Sequence, residues 1–225
     1  MTRDSGWVIQ CDFDGTISLR DVTDALLERF GRPGWLDLEA RWVAGEIGSA
    51  ECMAGQVALL EASPAELDGF LDGLAIDPHF AAFAAAARRL SIPLEVVSDG
   101  LDHVIRHILQ RHGLSGFTVL ANHLVQAGER QWRLTSPHAA AACVGACGTC
   151  KCALLANQAQ GRRKTLLVGD GRSDFCVAGQ ADFVLAKGKL VDYCVRHGIA
   201  HAEFDTFEDA LARMLETVEH PRVRA

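Results

Sequence analysis

A chain of 225 residues is longer than the commonest single domain and shorter than two, so one substantial core with a small inserted subdomain is expected, without disulfide staples. Hydrophobic residues at 49% and charged ones at 23% exclude a disordered or fibrous chain and imply a soluble globule. Twenty-two Lys and Arg against 29 Asp and Glu leave a net charge of −7, and no stretch gathers the positive charge that a nucleic-acid partner needs.

The first residues reach acids after only a few apolar positions, whereas a secretory signal needs roughly 7–15 in a row, so a cytoplasmic location is expected. No window approaches the ~18 uninterrupted apolar residues of a membrane span, and even the alanine-rich Phe80 to Ala87 stops at Arg88 and Arg89. Eight cysteines without an export signal read as reduced thiols.

Trp7 to Cys11 is a short apolar run that stops at Asp12 and suits a strand buried on both faces. From Asp21 to Leu90 there are helical patterns and no convincing strand; roughly four helices are expected there. Ser63-Pro64 and Asp77-Pro78 pair an N-cap with proline at the first helical position. Strands then return at Leu94–Val97, Phe117–Leu120, Thr165–Val168 and Phe183–Leu185, and Gly128-Glu129-Arg130 marks a small hairpin turn. Helical patterns over Leu101–Arg111, Lys151–Ala159, Lys189–Arg196 and Phe207–Val218 lie between and after them. The alternation predicts an α/β fold, a three-layer, Rossmann-like parallel sheet with a small inserted helical cap. The expected division is a core of residues 1–18 and 80–225 and a cap of residues 19–79.

Asp12 and Asp14 stand at the end of the first strand, and Asp170 and Asp174 follow the strand that ends at Gly169. Ligands of open α/β sheets collect beyond the carboxyl ends of the strands. If these two strands are neighbours, the carboxylates crowd together and repel unless a cation or a proton compensates. Oxygen ligands without a nearby histidine favour Mg²⁺. Ser98, with the following backbone N–H groups, ends another core strand where an anionic oxygen can be held. Lys151 opens a helix and can supply positive charge to the same crevice. Together these parts suit phosphoryl transfer through a carboxylate nucleophile.

The order Asp12-Phe13-Asp14-Gly15-Thr16, then Val96-Val97-Ser98, then Lys151, then Gly169-Asp170-Gly171 with Asp174 resembles the four motifs of the haloacid dehalogenase superfamily, in its phosphoserine-phosphatase-like branch. The helical insertion lies where that branch carries its cap. Ser136-Pro137-His138 followed by Cys143 to Lys151 is similar, more narrowly, to the methionine-salvage phosphatases that act on 2-hydroxy-3-keto-5-methylthiopentenyl 1-phosphate. The resemblance implies a phosphomonoester hydrolase for a small phosphorylated metabolite, monomeric or homodimeric, with phosphoserine as the alternative substrate. It implies Asp12 as nucleophile and Asp14 as general acid and then base. Mg²⁺ would be held by Asp12, the Asp14 carbonyl and Asp170, while Asp174 would support the metal through water or orient Lys151. Ser98 and the backbone of Asp99 and Gly100 would bind phosphate. Asp99 replaces a small residue often found there, and its side chain is expected to point away from the crevice.

Other residues carry two readings. Lys164 competes with Lys151 but precedes its strand, which puts it at the opposite sheet edge. Asp21 is either a substrate contact or the N-cap of the helix Val22 to Phe30. Arg41 and Trp42 either face the cleft or serve as a surface charge and a core aromatic. Cys143, Cys147, Cys150 and Cys152 either hold a structural Zn²⁺, with help from His138, or are idle thiols. Cys11, Cys52, Cys176 and Cys194 read as core residues. His103, His107 and His112 read as solvated or packed rather than as ligands. A non-catalytic zinc- or thiol-binding protein is the competing class, and the intact set of acids argues against it.

Overall fold

The computed structural model describes residues 6–159 and 163–219; the first five residues of the segment searched for an export signal lie outside them. The chain runs β1 (Trp7–Cys11), α1 (Val22–Phe30), α2 (Trp35–Val43), α3 (Ser49–Ala58), α4 (Pro64–Leu71), α5 (Phe80–Arg89), β2 (Leu94–Leu101) and α6 (Asp102–Arg111). It continues through β3 (Thr118–Gln126), β4 (Trp132–Thr135), α7 (Lys151–Ala159), β5 (Lys164–Gly169), α8 (Phe175–Ala178), β6 (Phe183–Ala186), α9 (Lys189–His197), β7 (His201–Glu203) and α10 (Phe207–Glu219).

The seven strands form one sheet in the order β4-β3-β2-β1-β5-β6-β7. All neighbours are parallel except the β3–β4 hairpin, in which Gln126 faces Trp132 across the predicted turn. All five residues of β1, four of them apolar and the fifth Gln10, are buried, as suits a central strand. On β5, alternate side chains serve opposite layers. Leu166 and Val168 join the larger core with residues of α5, α6 and α10, while Leu167 joins a smaller one with Leu190 and Cys194 of α9.

The segment holding α1 to α4 leaves and rejoins the core at one place. Ser18 bridges Ile76, and the Asp77 N–H donates to the Ile17 carbonyl at 2.9 Å. The interval from Asp21 to Leu90 thus holds five helices rather than four. The fifth, α5, belongs to the core: the Phe207 ring of α10 meets Phe80 and Phe83 edge-on, with centroids 4.9 and 5.1 Å apart. Ser63 caps α4 in a reciprocal box with Glu66, as the Ser-Pro signal predicts. The Asp77-Pro78 signal is offset, since α5 starts at Phe80. The Asp77 carboxylate instead accepts from the N–H groups of His79 (2.8 Å) and Phe207 (2.9 Å), joining the starts of α5 and α10.

Strand β7 has no counterpart in the sequence reading, because His-Ala-Glu has no apolar run and its pairing with β6 is an edge contact. Strands β2 and β3 both run beyond their apolar segments. Their register shifts between Val97 and Leu101, an irregularity that presents Ser98, Asp99 and Gly100 at the sheet's carboxyl edge. No helix among the described residues is long and apolar enough to cross a membrane.

Candidate active site

Strand β1 lies between β2 and β5, from which the chain proceeds to opposite sides of the sheet, so its carboxyl end opens a crevice. Cys11 is level with Val168, and the acids that follow the two strands converge. Ligand oxygens of Asp12, Asp170 and Asp174 lie within 4.8 Å of one another. Into this group reaches the Lys151 ammonium, 2.9 Å from Asp12 Oδ2 and 2.6 Å from Asp174 Oδ1, with the side chain only 2% exposed. Burial by itself would lower the pKa of Lys151, but the carboxylates of Asp12 and Asp174 outweigh it and raise the value above that of an ordinary lysine.

Both oxygens of Asp174 are engaged, Oδ1 with Lys151 and Oδ2 with the N–H groups of Asp170 (3.2 Å) and Gly171 (3.3 Å). Asp174 is therefore the partner that holds Lys151. Asp12, Asp14 and Asp170 face the cavity above. Asp12 Oδ1 accepts from the Phe13 N–H at 2.8 Å, and the Ser173 hydroxyl donates to its Oδ2 at 3.2 Å. Thr16 donates to Asp170 Oδ1 at 2.7 Å, while Asp170 Oδ2 overlies Gly15 so closely that a Cβ there would stand 2.7 Å from it. Gly15 also has φ +72°, which glycine adopts without strain.

One lysine does not balance three carboxylates. Burial pushes the pKa of Asp170 up, with the charge of Asp12 adding to it, and burial pushes Asp174 up to about 7. An oxygen-only donor set with surplus negative charge fits a hard divalent cation such as Mg²⁺, and Asp12 and Asp170 are placed to hold it. Burial, followed by the charge of Asp21, pushes the pKa of Asp14 well above the usual carboxylate range, which favours its protonated form. Its Oδ1 accepts from the Val22 N–H at the start of α1 (2.9 Å), and its Oδ2 lies 3.5 Å from the Ser98 hydroxyl. A Cβ on Gly100 would collide with this carboxyl, so only glycine fits there.

Ser98 is buried and its Oγ accepts from the Gly100 N–H at 3.0 Å. The Asp99 carboxylate turns toward the Thr149 N–H (2.8 Å), Asn122 Nδ2 (3.1 Å) and the Ser49 hydroxyl of α3, and still forms part of the cavity wall. Lys164 lies at the amino end of β5, its ammonium 5.4 Å from the Trp7 ring, at the opposite sheet edge as expected.

Helices α1 to α3 supply the facing wall, with Asp21, Asp24, Glu39, Trp42, Met53 and Gln56. The Asp21 carboxylate caps α1 through the Asp24 N–H (2.9 Å), as the N-cap reading expects, and the residue also lines the cavity. Arg41 does not line it; its guanidinium stands 3.6 and 3.8 Å from Glu46 and Glu51 on the surface. Its neighbour Trp42 does, beneath the Arg172 guanidinium, which is 5.2 Å from the ring and donates to the Val43 carbonyl at 3.1 Å. The sequence reading missed Thr16, Ser49, Arg172 and Ser173. Thr16 and Ser173 lie inside motifs already singled out, but nothing local marks Ser49.

The zinc expectation for Cys143, Cys147, Cys150 and Cys152 is not supported. Among the described residues, the groups that bring three ligand atoms within reach of one ion are Asp12 with Asp170 and Asp174, and Asp68 with His103 and His107. The loop cysteines are free thiols that instead hydrogen-bond among themselves and to Cys176. Hydrogen bonds from Cys147 and Cys152 draw the Cys176 pKa down and push theirs up. The His138 carbonyl closes the loop by accepting from the Cys150 N–H at 2.9 Å.

The model of the haloacid dehalogenase-like hydrolases matches residues 9–179. A protein of Exiguobacterium sp. (strain ATCC BAA-1283 / AT1b), named 2-hydroxy-3-keto-5-methylthiopentenyl-1-phosphate phosphatase, is 34% identical over 91% of this chain and 95% of its own length. One of the same name from Geobacillus kaustophilus is 35% identical over 92% of this chain and 96% of its own. The solved structure of a phospho-aspartyl intermediate analogue of phosphoserine phosphatase superposes with a TM-score of 0.69 at 15% identity, covering 92% of this chain and 97% of that one, a likeness of fold. With its four acids, serine and lysine gathered at one sheet edge, the chain belongs to the haloacid dehalogenase-like hydrolases and is a phosphoric monoester hydrolase.

Proposed function

We propose that the protein hydrolyses a small phosphomonoester through an aspartyl-phosphate, an acyl phosphate formed on Asp12, with Mg²⁺ held by the Asp12 carboxylate, the Asp14 carbonyl and Asp170. The observation that carries this reading is the buried Asp12–Lys151–Asp174 network beneath a cavity that Asp14 also lines. When bound, the ion supplies positive charge that offsets the acids and the phosphoryl oxygens. Asp12 Oδ attacks phosphorus while the bond to the leaving oxygen breaks, and the Asp14 proton passes to that oxygen. Asp14, now a carboxylate, takes a proton from water; the water oxygen attacks phosphorus, the bond from phosphorus to the Asp12 oxygen breaks to restore the carboxylate, and phosphate leaves. Lys151 holds Asp12 in place and balances its charge. The Ser98 hydroxyl and the adjoining backbone N–H groups hold the phosphoryl oxygens. Residues 19–79 act as a cap that shuts bulk water out of the first transfer.

The substrate we infer is 2-hydroxy-3-keto-5-methylthiopentenyl 1-phosphate. Supporting it are the curated relatives at 34% and 35% identity over nearly their whole length. Trp42, Cys52 and Met53 in the cavity wall also suit a thioether tail. A second reading, phosphoserine, draws on Asp24 and Glu39 in the same wall, which could receive an ammonium group. Replacing Asp12 by Asn is expected to abolish turnover of a generic aryl phosphate while the circular dichroism spectrum persists; full activity would remove Asp12 from the chemistry. Across a panel of purified phosphoesters, kcat/KM is expected to be highest for the methylthiopentenyl phosphate. A preference for phosphoserine by orders of magnitude would end that assignment.

A further inference from the structure

Helices α4 and α6 contribute nothing to the cavity lining, yet they meet through side chains of metal-binding type. His103 and His107 are four residues apart on α6, and Asp68 of α4 and Asp72, which caps the C-terminus of that helix, are likewise four apart, so each pair shares a face. Asp68 Oδ1 lies 2.7 Å from His103 Nε2 and 3.6 Å from His107 Nδ1. One ligand atom from each of these three residues falls within 4.8 Å of the others. Ligands bonded at about 2.0–2.1 Å in a tetrahedron stand roughly 3.3 Å apart, so small side-chain movements admit an ion.

A second feature is independent of this triad. The other ring nitrogen of His107, Nε2, lies 2.8 Å from Asp72 Oδ1, and Arg111 Nε holds that same oxygen at 2.9 Å. A carboxylate on the far nitrogen fixes the tautomer and aims Nδ1 at the ion, as is usual behind a metal-bound histidine.

We propose that Asp68, His103 and His107 form a binding site for a divalent late first-row transition ion, separate from the oxygen cluster of Asp12 and Asp170. Two imidazoles and one carboxylate suit such an ion better than Mg²⁺. Asp68 is 40% and His103 44% exposed, which leaves room for solvent at the remaining positions. The bound ion ties α4, in the segment that leaves the core at Ser18 and returns at Ile76, to α6, which follows directly on the Ser98 strand.

The test is a Co²⁺ titration of the full chain in saturating Mg²⁺, followed by the visible absorption of the bound ion. One equivalent of Co²⁺ is expected to bind, and His103→Ala and His107→Ala to abolish the signal. Alanine at these helix positions favours the helix, and unchanged circular dichroism checks the fold. Asp72→Asn leaves all three ligands in place and is expected to weaken binding about 10–100-fold. Phosphatase activity with Mg²⁺ alone should be the same in all three variants. Undiminished Co²⁺ binding in His107→Ala, an intense sulfur-to-cobalt band that assigns the ion to the cysteine loop, or no binding at all would each overturn the proposal.

Discussion

The Lys151 ammonium sets how much negative charge the strand ends can bury. It is the shared partner of Asp12 and Asp174, so removing it leaves two buried carboxylates unbalanced, with burial already pushing Asp174 up to about 7. Breaking a buried ion pair from one side costs about 3–5 kcal/mol. Lys151→Met is therefore expected to lower the urea unfolding free energy by that order and to abolish turnover. At Asp21 the cap and the cavity wall share one side chain, and two variants separate them. Asp21→Ala should lose about 0.5–2 kcal/mol of stability with the cap, whereas Asp21→Asn keeps it. If the carboxylate also touches substrate, kcat/KM falls in both variants, and an unchanged value in Asn reduces Asp21 to a cap.

Helix ends and their junctions carry a different kind of information. Glu66 accepts from the Ser63 hydroxyl and backbone N–H and meets Arg130, and these contacts lower its pKa to about 2. A carboxylate held below its unfolded-state value adds stability that is complete above that value, about 4.3, and is lost as the pH falls through about 2. Between those limits the wild-type urea midpoint should drop more steeply than that of Glu66→Gln. Asp77 is the offset start signal: the proline pattern found the residue, but its carboxylate serves α10, 130 positions away. Asp77→Ala leaves the buried Phe207 N–H without its acceptor and should cost about 1–3 kcal/mol for that group alone, read as a lower thermal midpoint.

Across the whole molecule, the helical segment and the core meet over the cavity through Arg172 and Trp42. A cation over an indole contributes about 0.5–1 kcal/mol where partly exposed. Trp42→Ala is therefore expected to raise KM by a few-fold, and an unchanged KM would show that this contact does not help hold the substrate. Much of the site could be read in advance, because each strand end is written locally as an apolar run that stops at Asp12, Ser98 or Asp170, with glycines where a Cβ would collide. The α7 boundaries Lys151–Ala159 and the hairpin turn before Trp132 followed from the same short-range rules. Strand β7, the count of five helices between β1 and β2, and Ser49 did not, since none has a local signature. Which residues become neighbours was a separate matter. Placing β1 beside β5 depends on packing across more than 150 positions, and the cysteine contacts around Cys176 and the approach of Asp68 to His103 likewise depend on packing between segments distant in sequence. Periodicity and turn chemistry act over a few residues and write the elements into the chain. Carboxylates, thiols and imidazoles that act together must be brought side by side by the burial of apolar faces, which no local pattern encodes.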